Sequence, residues 1–175
     1  ASLLRERLWD RCHAALVTSA TLAVAGDFSR FCLKAGIDTD ASLRALTSPF
    51  RHAEQAELVI PQFGDVDPRD QEAHWTLIAE RLPELTSAAR GTLVLFTSWR
   101  QLLSVRDLVA DDFGDELLVQ GDLSRAEILV RHREAIDAGR RSVIFGLASF
   151  AEGVDLPGEY CEHVIISKIP FATPD

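Results

Sequence analysis

The residues best suited to chemistry fall in one stretch, Phe145-Gly-Leu-Ala-Ser-Phe-Ala-Glu-Gly-Val-Asp-Leu-Pro-Gly158. The apolar run Ser142 to Phe145 feeds it and predicts a buried strand. Ser149 and Glu152 have the S-x-x-E spacing of a capping box, which predicts a short helix starting at Ser149. Gly153, Pro157 and Gly158 break that helix again. A strand that runs into a helix start leaves backbone N–H groups pointing outward, and such groups suit a phosphate. Asp155 then stands as an exposed carboxylate at the rim of the site. The same residues also fit an ordinary capped turn with no ligand.

The pattern recurs along the chain. Ser98 with Gln101 and Ser124 with Glu127 repeat the capping-box spacing. Each follows an apolar run: Thr92 to Phe96 before the first, Leu117 to Val119 before the second. Three capped helix starts on one edge could grip a row of phosphates, or they could be caps only.

These junctions need elements to hold them. Thr92 to Phe96 and Ser142 to Phe145 are apolar on both faces, as in a sheet covered by helices on both sides. Residues Trp75, Ile78, Ala79 and Leu82 fall at helical spacing, so a helix is expected from Asp70 to near Gly91, with Pro83 inside it. A stripe of Ile128, Leu129, His132, Ala135 and Ile136 predicts another helix, with His132 in its core boundary rather than as a ligand. A helix from Asp27 to Leu33 closes at Gly36, and further strands are expected at Ala14–Val17, Leu58–Ile60 and His163–Ile166. Strands alternating with helices predict an α/β fold with a mostly parallel sheet. In such sheets ligands sit at the C-terminal ends of the strands, where these junctions lie.

Composition narrows the field. The 175 residues suffice for one domain with a full core, and 47% hydrophobic content with 26% charged is ordinary for a globular chain. No apolar run approaches the ~20 residues of a membrane helix, so no membrane is expected. The charged N-terminus lacks a signal peptide's apolar core, which with unpaired thiols points to the cytoplasm. A net charge of −9 argues against a free-standing basic nucleic-acid module. Cys12, Cys32 and Cys161 are too scattered for a zinc or disulfide pattern, and the histidines show no metal-ligand spacing. The chain opens on a charged helical pattern, closes on Pro170-Phe-Ala-Thr-Pro-Asp175 and has no methionine, which reads as a piece cut from a longer protein; residues 170–175 are expected to be loosely held.

Thr18-Ser-Ala-Thr-Leu22, Leu95-Phe-Thr-Ser-Trp-Arg-Gln-Leu102 and Ala151-Glu-Gly-Val-Asp-Leu-Pro-Gly158 stand in order. They resemble motifs III, IV and V of superfamily 2 helicases, most closely the DinG/XPD-like branch. Ser48-Pro-Phe50, Gln120-Gly121 and Lys168-Ile-Pro-Phe171 resemble that branch too. The resemblance covers about residues 14 to 175 and implies a RecA-like fold. It makes residues 14–175 the second motor domain, and residues 1–13 the end of the preceding region. It implies 5′-to-3′ unwinding driven by ATP and Mg²⁺, single-stranded DNA as substrate, and the first RecA-like domain of the same parent chain as partner. Many members carry an iron–sulfur cluster. By resemblance, Ser19 and Thr21 couple the two domains. Thr97, Ser98, Gly121 and Ser149 lie on the DNA side, and Gly153 and Asp155 on the nucleotide side, with Asp155 near the ribose.

The departures bear on activity. The sequence holds no G-x-x-x-x-G-K-[ST] phosphate loop, no D-E-[AC]-H box and no set of cluster cysteines. The family's motif VI, with its arginine finger, would follow Asp175. No catalytic residue is therefore expected in these 175 residues, and the chain alone is expected to hydrolyse no ATP. A second reading is a non-catalytic RecA-like docking or binding domain. A small α/β enzyme centred on Asp155 is weaker, because no Ser-His-Asp, Cys-His or paired-carboxylate set accompanies it.

Overall fold

The computed structural model describes residues 2–37, 41–62, 64, 66, 67 and 69–169. The expectation for residues 170–175, and the Pro170-Phe171 part of the last motif, lie outside them. The chain divides into two units, residues 1–60 and 61–175.

The second unit carries the sheet. Its elements run α4 (Gln71–Thr86), β1 (Gly91–Leu95), α5 (Trp99–Phe113), β2 (Leu117–Val119), α6 (Arg125–Asp137), β3 (Ser142–Gly146), α7 (Ala148–Ala151) and β4 (His163–Ile166), with a 3₁₀ turn at Gly158–Cys161. The four strands are parallel throughout, in the order β2-β3-β1-β4. The two apolar runs, β1 and β3, are the interior pair, as their two-sided hydrophobicity predicts.

Alternation along the strands splits the core in two. Val94, Phe96, Val143 and Phe145 face α4 and α5, packing against Trp75, Leu82, Leu102 and Val105. Leu93 and Ile144 point the other way, onto Ile128 of α6 and Phe150 of α7. The Phe96 and Phe145 rings meet at 4.9 Å between centroids.

Local chemistry explains the boundaries. Asp70 caps α4 by accepting from the Ala73 amide at 3.0 Å. That helix ends at Thr86, five residues short of the expected Gly91, and carries Pro83 in its last turn. Gly91 instead opens β1. A Cβ there would lie 2.4 Å from the Tyr160 carbonyl oxygen, so glycine lets the 3₁₀ turn cross the start of the strand. His132, expected at the boundary of the core, is fully buried on α6.

The first unit holds α1 (Ser2–Arg7), a 3₁₀ turn at Trp9–Arg11, α2 (Ser29–Ala35) and α3 (His52–Gln55). Gly36 closes α2 in the left-handed region at φ 68°. The Trp9 indole N–H donates to the Ala35 carbonyl at 2.6 Å. The expected strands Ala14–Val17 and Leu58–Ile60 do not form. Leu16 is 89% and Leu58 87% exposed. A run of three or four apolar residues becomes a strand only beside a ladder partner. Among the described residues this unit offers only the isolated bridge of Val24 with Asp27.

Candidate nucleic-acid and nucleotide interface

Because the sheet is parallel, every strand ends on the same edge. Thr97-Ser98 follows β1, Gln120-Gly121 follows β2, Leu147 follows β3 and Ser167-Lys168 follows β4. Backbone bonds continue the ladders past the strands: Phe96 N–H to Gly146 O at 2.9 Å, Gln120 N–H to Phe145 O at 2.9 Å, Ser167 N–H to Leu95 O at 3.0 Å.

Buried Gln101 organises the β1 end. Its Oε1 accepts from the Ser167 hydroxyl at 3.2 Å and, at a longer 3.4 Å, from the Thr97 hydroxyl. Ser98 Oγ accepts from the Gln101 amide at 3.2 Å and caps α5. Gln101 does not reach back to the Ser98 amide, so the box is half made. Thr97 and Ser98 are exposed. They border a cleft of about 270 Å³ that Lys168, His74 and Trp75 also line. The cleft thus offers two hydroxyls, a cation and the start of a 15-residue helix, a set that suits a phosphate.

Ser124 caps α6 in the same half-made way, accepting from the Glu127 amide at 3.2 Å. The third expected cap is absent. α7 starts at Ala148, ahead of Ser149, and makes no side-chain cap bond. Packing decides this. Phe150 is buried under the sheet, and its Cβ lies within 2.6 Å of where a Gly146 Cβ would stand. That close approach fixes the turn one residue early. The Leu147 amide is satisfied instead by Gln120 Oε1 at 2.8 Å, across the edge from β2. Ser149 remains at the edge, exposed, with its hydroxyl not engaged as a cap.

Gly121 adopts φ 103°, and a Cβ there would meet the Trp99 ring at 3.1 Å. Trp99 is half-exposed beside it, so this corner presents an aromatic face next to bare backbone.

Past α7 the chain leaves the edge and runs along α6. Gly153 sits at φ 69°, with Arg125 Nη2 donating to the Gly153 carbonyl and, at 3.1 Å, to that of Glu152. Val154 and Leu156 pack on the α6 side of the core, while Asp155 between them is exposed. Arg133 Nη2 donates to the Asp155 backbone carbonyl at 2.6 Å. Among the described residues the Asp155 carboxylate makes no hydrogen bond and no ion pair.

His132, next to Arg133, ties the returning chain to the sheet. Its Nε2 lies 2.6 Å from the Tyr160 carbonyl oxygen and its Nδ1 2.9 Å from Ser142 Oγ. A carbonyl only accepts, so Nε2 carries the proton and Nδ1 accepts from the serine hydroxyl. Burial holds this imidazole's pKa below its ordinary value, outweighing the Tyr160 bond that favours the charged form.

The structure therefore collects Thr97, Ser98, Gly121 and Ser149 on one edge, with Gly153 beside the start of α6 and Asp155 further along that helix. Ser19 and Thr21 belong to the first unit, where their hydroxyls lie 3.2 Å apart and Ser19 Oγ accepts from the Thr21 amide at 3.2 Å. Sequence reasoning missed Arg125 and Arg133, and it named Gln120 within the Gln120-Gly121 motif without its contact. Their targets are backbone groups more than 20 residues away, and no spacing in the sequence marks such partners.

Among the described residues no helix is long and apolar enough to cross a membrane. No group of three or more His, Cys, Asp or Glu among them could hold a metal ion.

Comparison with known proteins gives this site a context. The family model of the helicase C-terminal domain matches residues 82–175. The ATP-dependent DNA helicase DinG of Photobacterium profundum is 39% identical over 176 residues, covering 98% of this chain and 25% of that protein. The DinG helicase of Salmonella typhimurium is 41% identical over 177 residues, and that of Escherichia coli K12 39% over 178, with the same coverage. The chain spans about a quarter of the length of the curated relatives it matches.

Proposed function

The chain belongs to the helicase C-terminal domain family, and from that premise we propose that it serves as the second RecA-like motor domain of a DinG-type, ATP-dependent 5′-to-3′ DNA helicase. In this reading residues 14–175 form the motor domain and residues 1–13 end the preceding region. The observation that carries it is the β1 edge. Exposed Thr97 and Ser98, with Lys168 beside them, line a cleft at the C-terminal end of an all-parallel sheet. That is where an α/β sheet binds ligands, and the chemistry suits the sugar–phosphate backbone of single-stranded DNA.

The chain's own residues then divide the work. Thr97 and Ser98 hold backbone phosphates, Gly121 and Ser149 extend the DNA track along the edge, and Gly153 and Asp155 face the nucleotide. Ser19 and Thr21 couple this domain to the first RecA-like domain of the same parent. Among the described residues no group of three or more His, Cys, Asp or Glu could hold a metal ion and the cysteines are free, so in this reading Mg²⁺ and any iron–sulfur cluster belong to the rest of the full-length parent. A phosphate loop on the first domain would hold the ATP phosphates. A cytoplasmic location fits that substrate.

The test uses the full-length protein that carries this chain. Single-stranded DNA should stimulate its ATP hydrolysis, and it should unwind duplexes bearing a 5′ single-stranded tail. A folded full-length protein whose ATP hydrolysis ignores DNA would defeat the reading.

A further inference from the structure

The segment from Glu152 to Asp155 lacks the local chemistry to hold itself. Its expected cap is not made, Gly153 sits in the left-handed region, and Pro157-Gly158 follows. What holds it comes from α6. Arg125 and Arg133 stand eight residues apart, about 12 Å along the helix. The stretch from Glu152 to Asp155 can span at most about 10 Å, and one arginine serves each end.

Each guanidinium is itself fixed twice. That of Arg125 lies 5.7 Å from the Phe150 ring centre and donates to the carbonyls of Glu152 and Gly153. That of Arg133 lies 5.9 Å from the Tyr160 ring centre and donates to the carbonyl of Asp155. Phe150 and Tyr160 bracket the segment in sequence. Each cation therefore rests on an aromatic ring and grips the backbone running between the two rings. Arg133 takes the carbonyl of Asp155, and among the described residues its carboxylate is unpaired. With Val154 and Leu156 turned inward, that carboxylate is turned out.

We infer that Arg125 and Arg133 are positioning residues: they clamp the Glu152–Asp155 backbone to α6 so that the Asp155 carboxylate is presented, unpaired and at a fixed height, to the ribose hydroxyls of a bound nucleotide. The inference rests on the proposed nucleotide role of Asp155. The clamp spends both cations on main-chain carbonyls, and neither makes an ion pair with the acid they position.

The experiment compares full-length protein with Arg125→Met and Arg133→Met, singly and together, in normal and Asp155→Ala backgrounds. Methionine keeps a flexible apolar stem near each ring and removes the donors. Hydrogen exchange is read at the amides of residues 152–156, and KM and kcat are measured for DNA-stimulated ATP hydrolysis. The expected results are faster exchange at 152–156 with unchanged protection in β1 and β3, and a KM for ATP raised about threefold to tenfold with a smaller change in kcat. In the Asp155→Ala background the arginine changes should add little to KM, because both act through one carboxylate. Unchanged exchange at 152–156 overturns the clamp. Faster exchange with normal KM, where Asp155→Ala alone raises KM, overturns the positioning role. A silent Asp155→Ala overturns the nucleotide reading, and the inference with it. If the double variant does not fold, Arg133→Met alone carries the same comparisons.

Discussion

Arg133 meets Asp155 at its backbone carbonyl, 2.6 Å away, and the carboxylate has no partner among the described residues. An aspartate that held its own turn together would spend its oxygens on nearby amides. This one spends none, so its removal should be felt by a ligand and not by the fold. Asp155→Ala in the full-length protein should raise the KM for ATP or lower kcat, by the roughly 1.5–3 kcal/mol of one hydroxyl bond to a carboxylate. Its melting temperature should stay within about a degree of the parent's. A variant that melts several degrees lower while turning over ATP normally would return Asp155 to the turn.

Ser98 has a structural and a ligand role to separate. Its Oγ accepts from the Gln101 amide, and Ser98→Ala should cost about 1 kcal/mol of stability through the lost cap. Ser98→Gly changes helix capping by only a few tenths of a kcal/mol and also removes the hydroxyl. Both variants should weaken binding of single strands equally across unrelated sequences, since phosphate contacts carry no base information. Fluorescence anisotropy on two scrambled oligonucleotides, run beside a thermal melt, reads both effects. Unchanged affinity in the folded glycine variant removes Ser98 from the DNA track.

His132 predicts a stability profile in pH. Burial lowers its pKa in the folded state, so the unfolded chain binds the proton more readily. Stability is then fully present above the unfolded value near 6.5 and is lost as pH falls from there through the lower folded value. Melting temperature should fall between pH 7.5 and 5. His132→Gln, which cannot titrate, should flatten that slope while lowering the plateau, because one of the bonds to Ser142 and Tyr160 is lost. An equally steep slope in the glutamine variant assigns the pH dependence elsewhere.

Thr92, in β1, carries a buried hydroxyl with no hydrogen-bond partner among the described residues. An unsatisfied buried polar group costs stability, and valine matches threonine in shape. Thr92→Val should therefore be neutral or stabilising, by up to about 1–3 kcal/mol. Urea unfolding measures it, and clear destabilisation would show that the hydroxyl has a partner in solution.

What the sequence determined by itself is the part that local physics writes. Runs apolar on both faces made β1 and β3 interior strands, and helical spacing marked Trp75, Ile78 and Leu82, and Ile128, as buried stripes, while the structure decided which face of the sheet each covers. The caps at Ser98 and Ser124 act over three residues, so their spacing was enough to find them. Tertiary structure decided the rest, because the partners lie far along the chain. Phe150 packing under the sheet overrode the Ser149 cap, which three residues alone had favoured. Among the described residues the apolar runs at 14–17 and 58–60 met no neighbouring strand, and a ladder cannot be built from one side. The strand order that gathers Thr97, Gly121 and Ser149 on one edge, and the reach of Arg133 across 22 residues to the Asp155 carbonyl, follow from how helices close on the sheet. Hydrogen bonds to backbone carbonyls recognise no side-chain type, so no residue pattern announces them.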